Sequence, residues 1–355
     1  MITKSRLIVV KVGTDAITNL DGSVNTDAIN ALVGQISDIK KAGHAVILVS
    51  SGAMGFARGL IDHAKVVSEV GKRQVLSSIG QVLLMETYRA AFAKHDLLCA
   101  QILATKDDFR SRSHYLNIRQ CFENLVNNNV VAIVNENDAV SLTELMFTDN
   151  DELAGLVASM MDANMLFILT TVKGVYTDEG SEAVLKEILP GDSTWKKHIK
   201  NEKSEFGRGG MMTKCTVGAQ MAVLGIQTVI MAASDFGLSD IQQEGMRGTT
   251  FRPAKKASTI KKWIAHSKEH ANGVVYINEG ARGTLIQKEK VASLLPIGIV
   301  KIEGEFEAGD IVEVRDSQDV RIGFGKAQYG SDIAREYTGK HDKKPFIHYD
   351  YLYLE

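Results

Sequence analysis

The sequence predicts an α/β three-layer αβα sandwich with a mostly parallel sheet, followed by a small C-terminal β-rich domain. Three observations carry this. Over residues 1 to about 250, short continuous β-branched runs alternate with longer segments of helical period. Continuous apolar strands separated by helices imply a parallel sheet covered on both faces. After Phe251 the alternation stops, and from Gly273 short strands punctuated by glycine take over. A chain of 355 residues also exceeds the roughly 100–200 of one ordinary domain.

The expected strands of the first domain are Leu7–Val10, Ala45–Val49, Leu97–Leu103, Val130–Val134, Met165–Leu169 and Thr228–Met231. Between the first two, Ile29, Leu32, Val33, Ile36 and Ile39 form one apolar stripe in a helix over Asp27–Lys41. Thr26 is its expected N-cap and Gly43 its stop. The boundaries follow as 1–251 for the catalytic domain, 252–272 for a linker and 273–355 for the β domain. From 252 to 270 the linker carries Arg252, Lys255, Lys256, Lys261, Lys262 and Lys268 against the single acid Glu269, with a short helix expected around Trp263. In the β domain the expected strands are Val274–Ile277, Gly298–Ile302, Asp310–Val314 and Val320–Phe324.

Composition excludes several classes. A formal charge of -2 gives no whole-chain argument for nucleic acid or an anionic surface. Residues 273–355 hold 11 Lys and Arg against 14 Asp and Glu, an acidic balance. Cys99, Cys121 and Cys215 are too far apart for a disulfide framework or zinc site, and each is expected as a buried reduced thiol. No paired histidine spacing suggests a protein-held metal. The four-residue apolar run after Arg6 is too short for a signal sequence, and nowhere is there the ~18-residue apolar stretch of a spanning helix. A cytoplasmic protein is expected.

The chemistry-bearing residues collect where the N-terminal strands end, the place where open α/β sheets bind ligands. The first strand runs into Lys11-Val12-Gly13-Thr14, where a lysine pairs with an anion or lies on the surface before a turn. Ser50-Ser51-Gly52-Ala53-Met54-Gly55 is either a phosphate-sized loop before a helix or an ordinary tight turn. Asn135-Glu136-Asn137-Asp138 and Asp149-Asn150-Asp151 place two Asx-rich clusters at consecutive element ends, the second opening a helix near Glu152. Capping explains one such cluster; two suit a polar substrate with an ammonium group. Gly207 to Lys214 sets glycines before a helix whose first turn holds a lysine, an anion cradle or a surface loop. Neither a Walker A nor a GxGxxG pattern is present. Two lysines, two glycine-rich loops and a group of acids and amides suit phosphoryl transfer between anions.

At these residues the chain resembles the glutamate 5-kinases of the amino acid kinase superfamily, which carry a C-terminal PUA domain. The segments are VVKVGTD (9–15), VSSGAMG (49–55), RQVLSSIGQ (73–81), YLNIRQ (115–120), VNENDAV (134–140), DNDELA (149–154), TTVKGVYT (170–177) and GRGGMMTK (207–214). GVVYINEGA (273–281), SLLPIGI (293–299) and SDIAREYTGK (331–340) resemble the PUA domain. The bifunctional pyrroline-carboxylate synthases share the kinase segments, and the lack of a reductase half after them makes the monofunctional enzyme the expectation.

The resemblance implies transfer of a phosphoryl group from ATP to the γ-carboxylate of L-glutamate, the first step of proline biosynthesis. It makes Lys11, Asp151 and Lys214 the catalytic residues, with Asp151 positioning both lysines. Ser51, Asn135, Asp138, Asp149 and Asn150 become the glutamate site. Lys11, Thr170, Thr171, Arg208, Gly209, Gly210, Met211, Met212, Thr213 and Lys214 become the ATP site. Mg²⁺ is expected on the nucleotide phosphates, with no protein metal site. Proline as feedback inhibitor, a glutamyl-phosphate reductase as partner and a homo-oligomer are further implications. The chain departs from the family pattern at Thr171, Met146, Thr148 and Arg208. Three alternatives stand beside this reading: a sibling kinase of another small acid, an RNA-binding PUA protein and a non-catalytic amino-acid sensor. The acidic balance of 273–355 argues against RNA.

Overall fold

The computed structural model describes residues 5–19, 23–58, 60, 68–110, 112–140, 149–177, 183–199, 210–242, 247–254, 271–286 and 292–354. The chain divides into two compact units, Met1–Lys256 and Ala257–Glu355. The helix expected around Trp263 falls outside the described residues.

In the first unit the elements run β1 (Leu7–Val12), α1 (Thr26–Lys41), β2 (Ala45–Ser50), α2 (Ala53–Ala57), α3 (Glu69–Ala93), β3 (Cys99–Ala104), α4 (Lys106–Arg110), α5 (Arg112–Asn127) and β4 (Val131–Glu136). They continue with α6 (Asn150–Met160), β5 (Met165–Thr170), β6 (Glu187–Ile188), α7 (Met211–Val223), β7 (Gln227–Ala232), α8 (Leu238–Gln242) and β8 (Thr249–Phe251). The strands form one eight-stranded sheet in the order β3-β4-β2-β1-β5-β7-β8-β6. Pairing is parallel throughout except between β7 and β8.

Strand β1 lies between β2 and β5, so the chain winds outward one way through β2 and the other way from β5. Such a reversal opens a crevice at the carboxyl ends of the central strands. The β-branched runs are buried on both faces, as a covered parallel sheet requires; Ile8, Val9 and Val10 have no exposed surface.

Helix α1 shows how patterning becomes packing. Its stripe of Ile29, Leu32, Val33, Ile36 and Ile39 is buried against the sheet core. Each such side chain contributes about 1.5–3 kcal/mol on burial. The helix starts one residue earlier than expected, because Asn25, not Thr26, caps it by accepting from Ala28 N at 2.9 Å. An Asn side chain serves an N-cap at least as well as Thr. The cysteine expectation also needs correction. Cys215 is buried, Cys99 is half-buried, and Cys121 is exposed on α5. An apolar neighbourhood in sequence does not decide which face of a helix a thiol occupies.

One backbone contact locks the glycine-rich loop after β2 to the sheet's flank. A Cβ at Gly80 on α3 would lie 1.7 Å from the Ala53 carbonyl oxygen. Only glycine allows that approach, and it registers α3 against the start of α2.

In the second unit β9 (Gly273–Ile277), α9 (Glu279–Ile286), β10 (Ile299–Gly304), β11 (Ile311–Arg315), β12 (Arg321–Lys326), α10 (Ser331–Tyr337) and β13 (Leu352–Leu354) follow in order. The strands form a sheet ordered β10-β9-β11-β12-β13 around Val275, Ile277, Val312, Val314, Phe346 and Ile347. Strand β13 was not anticipated, because three residues carry too little pattern to read. No helix among the described residues is long and apolar enough to cross a membrane.

Replacing Gly80 by Ala should force α3 away from Ala53 and cost about 1–3 kcal/mol or more. A urea titration reads this as a lowered midpoint; an unchanged midpoint would contradict the packing described.

Candidate active site

The carboxyl ends of β1, β2, β4 and β5 meet the N-terminus of α6, and the side chains expected from sequence converge there. Helix α6 begins at Asn150, two residues before the sequence expectation, because Asp149 is its N-cap. Asp149 Oδ1 accepts from Asp151 N at 2.7 Å and Glu152 N at 3.3 Å. From Leu153 to Met160 the helix is buried on every side, so its first turn is carried into the interior of the fold.

Asp151 lies at the centre with no exposed surface. Lys11 Nζ, from β1, is 2.7 Å from its Oδ1, and Lys214 Nζ, from the first turn of α7, is 3.0 Å from its Oδ2. One carboxylate therefore binds two ammonium groups from opposite sides of the crevice, and the three side chains sum to one positive charge. A buried carboxylate is tolerable only with such partners. Burial alone would raise the Asp151 carboxyl, but the two lysines outweigh it and hold it below the usual carboxylate value. Burial likewise opposes the Lys214 ammonium, and Asp151 more than compensates, so Lys214 is raised. A Cβ on Gly13 would lie 3.5 Å from Lys11 Nζ, at ordinary contact distance, so Gly13 leaves only backbone beside that ammonium.

Asp149 behaves oppositely. Burial, reinforced by the charge of Asp151, pushes its carboxyl up to about 6 against the opposing pull of the lysines. Its Oδ2 is buried and accepts no hydrogen bond. Two carboxylates two positions apart thus have acidities driven in opposite directions by their surroundings.

A chain of amides flanks the acids. Asn150 Nδ2 donates to Ser50 O at 3.0 Å, Ser51 Oγ at 2.9 Å and Asn135 Oδ1 at 2.8 Å. Asn135, at the end of β4, donates in turn from Nδ2 to Gln81 Oε1 at 2.9 Å. The structure thus brings Ser51, Asn135, Asp149 and Asn150 together around Asp151. Asp138 stands one loop further out, where Arg73 of α3 pairs with its Oδ1 at 3.0 Å. Thr170 is half-buried at the end of β5, and Thr171 is exposed. Gly210 is the N-cap of α7, with Met211, Met212, Thr213 and Lys214 half-buried in its first turn. Arg208, Gly209, Met146 and Thr148 lie outside the described residues.

Residue-by-residue reading missed the contribution of α3. Arg73 pairs with Asp138, Gln74 Nε2 donates to Ala139 O at 2.9 Å, and Gln81 accepts from Asn135. Arg73 and Gln81 are eight residues apart, so they share a helix face. Arg73, Gln74 and Gln81 recurring at helical spacing were the available signal. Lys106 of α4, 3.1 Å from Glu152 at the start of α6, was also missed.

Comparison with known proteins places this geometry in a class and then in a family. Residues 6–232 match the family model of the amino acid kinase family, and residues 273–347 match that of the PUA domain. A glutamate 5-kinase of Bacteroides thetaiotaomicron is 44% identical over 355 residues, 98% of each chain. One of Chlorobaculum tepidum is 44% identical over 351 residues, covering 98% of this chain and 97% of its own. Among solved structures, carbamate kinase from Giardia lamblia bound to AMP-PNP aligns with a TM-score of 0.53 at 18% identity. That alignment covers 72% of this chain and all of the other, and it shows the shared fold. The chain belongs to the amino acid kinase family and, within it, to the glutamate 5-kinases.

The raised Asp149 has a measurable sign. Its folded value of about 6 lies above the ordinary 3.8, so between these values the folded state binds more protons than the unfolded one. Ionised Asp149 therefore costs stability at neutral pH, and the cost disappears as pH falls toward 4. Asp149→Asn, which keeps the capping oxygen, should stabilise the protein on the order of 1–3 kcal/mol at pH 7.5. The gain should shrink as pH falls through about 6 toward 4; thermal melts of both proteins across that range check it.

Proposed function

We propose that the chain transfers the γ-phosphoryl group of ATP to the γ-carboxylate of L-glutamate, giving L-glutamyl 5-phosphate and ADP as the first step of proline biosynthesis. The observation that carries this is the pair of lysines held on the two oxygens of buried Asp151 at the carboxyl ends of the central strands. The glutamate and its phosphorylation come from the relatives, whose names say glutamate 5-kinase.

The chemistry suits such a centre. A γ-carboxylate has a reference value near ~4.3, so it is ionised at neutral pH and needs no general base. Its oxygen attacks the γ-phosphorus as the bond to the β–γ bridging oxygen breaks, and that electron pair leaves with ADP. No proton moves. What opposes the reaction is repulsion between two anions, worth ~4 kcal/mol for unit charges 4 Å apart at an effective dielectric constant of about 20. Lys11 and Lys214, pre-positioned by Asp151, offset it where charge develops.

Thr170, Thr171 and the segment from Arg208 to Lys214 flank the nucleotide, and Ser51, Asn135, Asp138, Asp149 and Asn150 take the amino acid. Among the described residues no group of three or more His, Cys, Asp and Glu could hold a metal ion. In this reading Mg²⁺ is carried on the nucleotide phosphates, where it would supply further neutralisation. Residues 1–251 form the catalytic domain in this reading, 252–272 a basic linker and 273–355 the PUA-like domain. Cytoplasmic placement, a homo-oligomer, proline as feedback inhibitor and a reductase that takes the labile acyl phosphate belong to the same proposal.

Protein incubated with ATP, Mg²⁺, L-glutamate and hydroxylamine should form glutamyl hydroxamate; no product at high glutamate overturns the proposal. Lys214→Ala should lower turnover about 10²–10³-fold while leaving the melting curve cooperative. Unchanged turnover would remove Lys214 from the mechanism.

A further inference from the structure

We infer that Gln81, on α3, is a positioning residue for substrate recognition: it fixes the place of the Asn135 amide, which anchors Asn150 with its nitrogen inward and its carbonyl oxygen free for the substrate's ammonium group. The inference rests on the proposed glutamate site and adds a determinant of its selectivity.

The argument starts from the polarity of an amide chain. An Asn or Gln side chain looks nearly the same with its oxygen and nitrogen exchanged, so its orientation follows from what its neighbours can do. Two backbone groups settle the matter here. Ser50 O can only accept, and it faces Asn150 Nδ2 at 3.0 Å. Glu136 N can only donate, and it faces Asn135 Oδ1 at 2.9 Å. The amide of Asn150 therefore points its nitrogen inward and the amide of Asn135 its oxygen toward Asn150, 2.8 Å apart. Asn135 Nδ2 is left pointing at α3, and Gln81 Oε1 receives it at 2.9 Å.

The chain is buried where it matters. Asn135 is 4% exposed and Gln81 9%. With both amides turned by their backbone partners, the acceptor at position 81 satisfies the remaining buried N–H of Asn135 and holds that amide in place. Gln81 Nε2, by contrast, is buried and donates to nothing, so only the oxygen of this side chain is engaged. The neighbouring residue explains why Gln81 is in register: Gly80 seats α3 against the Ala53 carbonyl beside Ser51.

At the far end the consequence is chemical. With Asn150 Nδ2 turned inward toward three acceptors, its Oδ1 is the atom left for a ligand. A carbonyl oxygen attracts an ammonium group; an NH₂ there would repel it. Gln81 thus acts through Asn135 and Asn150 on an amino acid's α-ammonium and on nothing in the nucleotide.

The test compares L-glutamate with glutarate, which has the same two carboxylates and lacks the ammonium. In Gln81→Met, of similar size but without an acceptor, KM for L-glutamate should rise about tenfold, the cost of one stranded buried donor. KM for ATP should stay within about twofold, and the preference for glutamate over glutarate in kcat/KM should fall about five- to tenfold. Gln81→Glu keeps an accepting oxygen, replaces the unengaged NH₂ with a second carboxyl oxygen and adds negative charge that itself favours an ammonium group, so it should retain the preference. Calorimetric binding of the two acids reads the same preference without turnover. An inactive wild type would thus overturn the kinase reading and still leave the role of Gln81 decided. An unchanged preference in Gln81→Met overturns the inference, as does a loss in Gln81→Glu equal to that in Gln81→Met. Should Gln81→Met fail to fold, Gln81→Leu, which also lacks an acceptor, is read by the same criteria: a reduced preference supports the role, and an unchanged one overturns it.

Discussion

A buried carboxylate needs positive charge around it, and in this fold Asp151 obtains it from two lysines on different elements. The N-terminus of α6 adds a favourable dipole at the same point. Satisfying that one acid constrains β1, α6 and α7 together, since Lys11, Asp151 and Lys214 each come from a different one. Removing either lysine would strand charge in the interior, which costs more than the pair contributes when intact. The arrangement is poor economy as a source of stability. As a way to hold two cations a fixed distance apart with their outer faces toward a crevice, it is effective.

The rest of the site grades away from that cationic centre. Past Asp149, whose carboxyl is raised by burial to about 6, the lining turns to amide oxygens and then to Asp138. The crevice therefore has a positive end suited to phosphates and an accepting end suited to an ammonium group. In the proposed function, a zwitterionic acid lying between them would be oriented by both. Helix α3 makes the second end possible, because its Arg73, Gln74 and Gln81 tie down the end of β4 and the segment after it.

Much of this was readable in advance, and particular residues show why. Strands of five or six β-branched residues announce themselves, and so does the stripe from Ile29 to Ile39 in α1. Strands β6, β8 and β13 did not, because two or three residues carry no period and exist only where neighbours complete the sheet. Asn25 displaced Thr26 as a cap because both side chains can cap, and only the turn of the backbone chooses. The exposure of Cys121 was misread for a similar reason: a helix face is assigned by what packs on it.

The sequence by itself determined the alternation of strand and helix, the change to a β-rich second domain, and the polar residues at the strand ends, because periodicity and composition are local properties. It also singled out Lys11, Asp151 and Lys214, whose side chains the structure brings together. The tertiary structure alone decided that one carboxylate serves both lysines, that Asp149 and Asp151 differ in acidity, and that Gln81 reaches Asn135. Lys11 and Lys214 are two hundred residues apart in sequence, and no local pattern can encode which oxygen of Asp151 each will meet. Such pairings depend on burial and on contacts between distant segments, and these exist only once the sheet has closed around them.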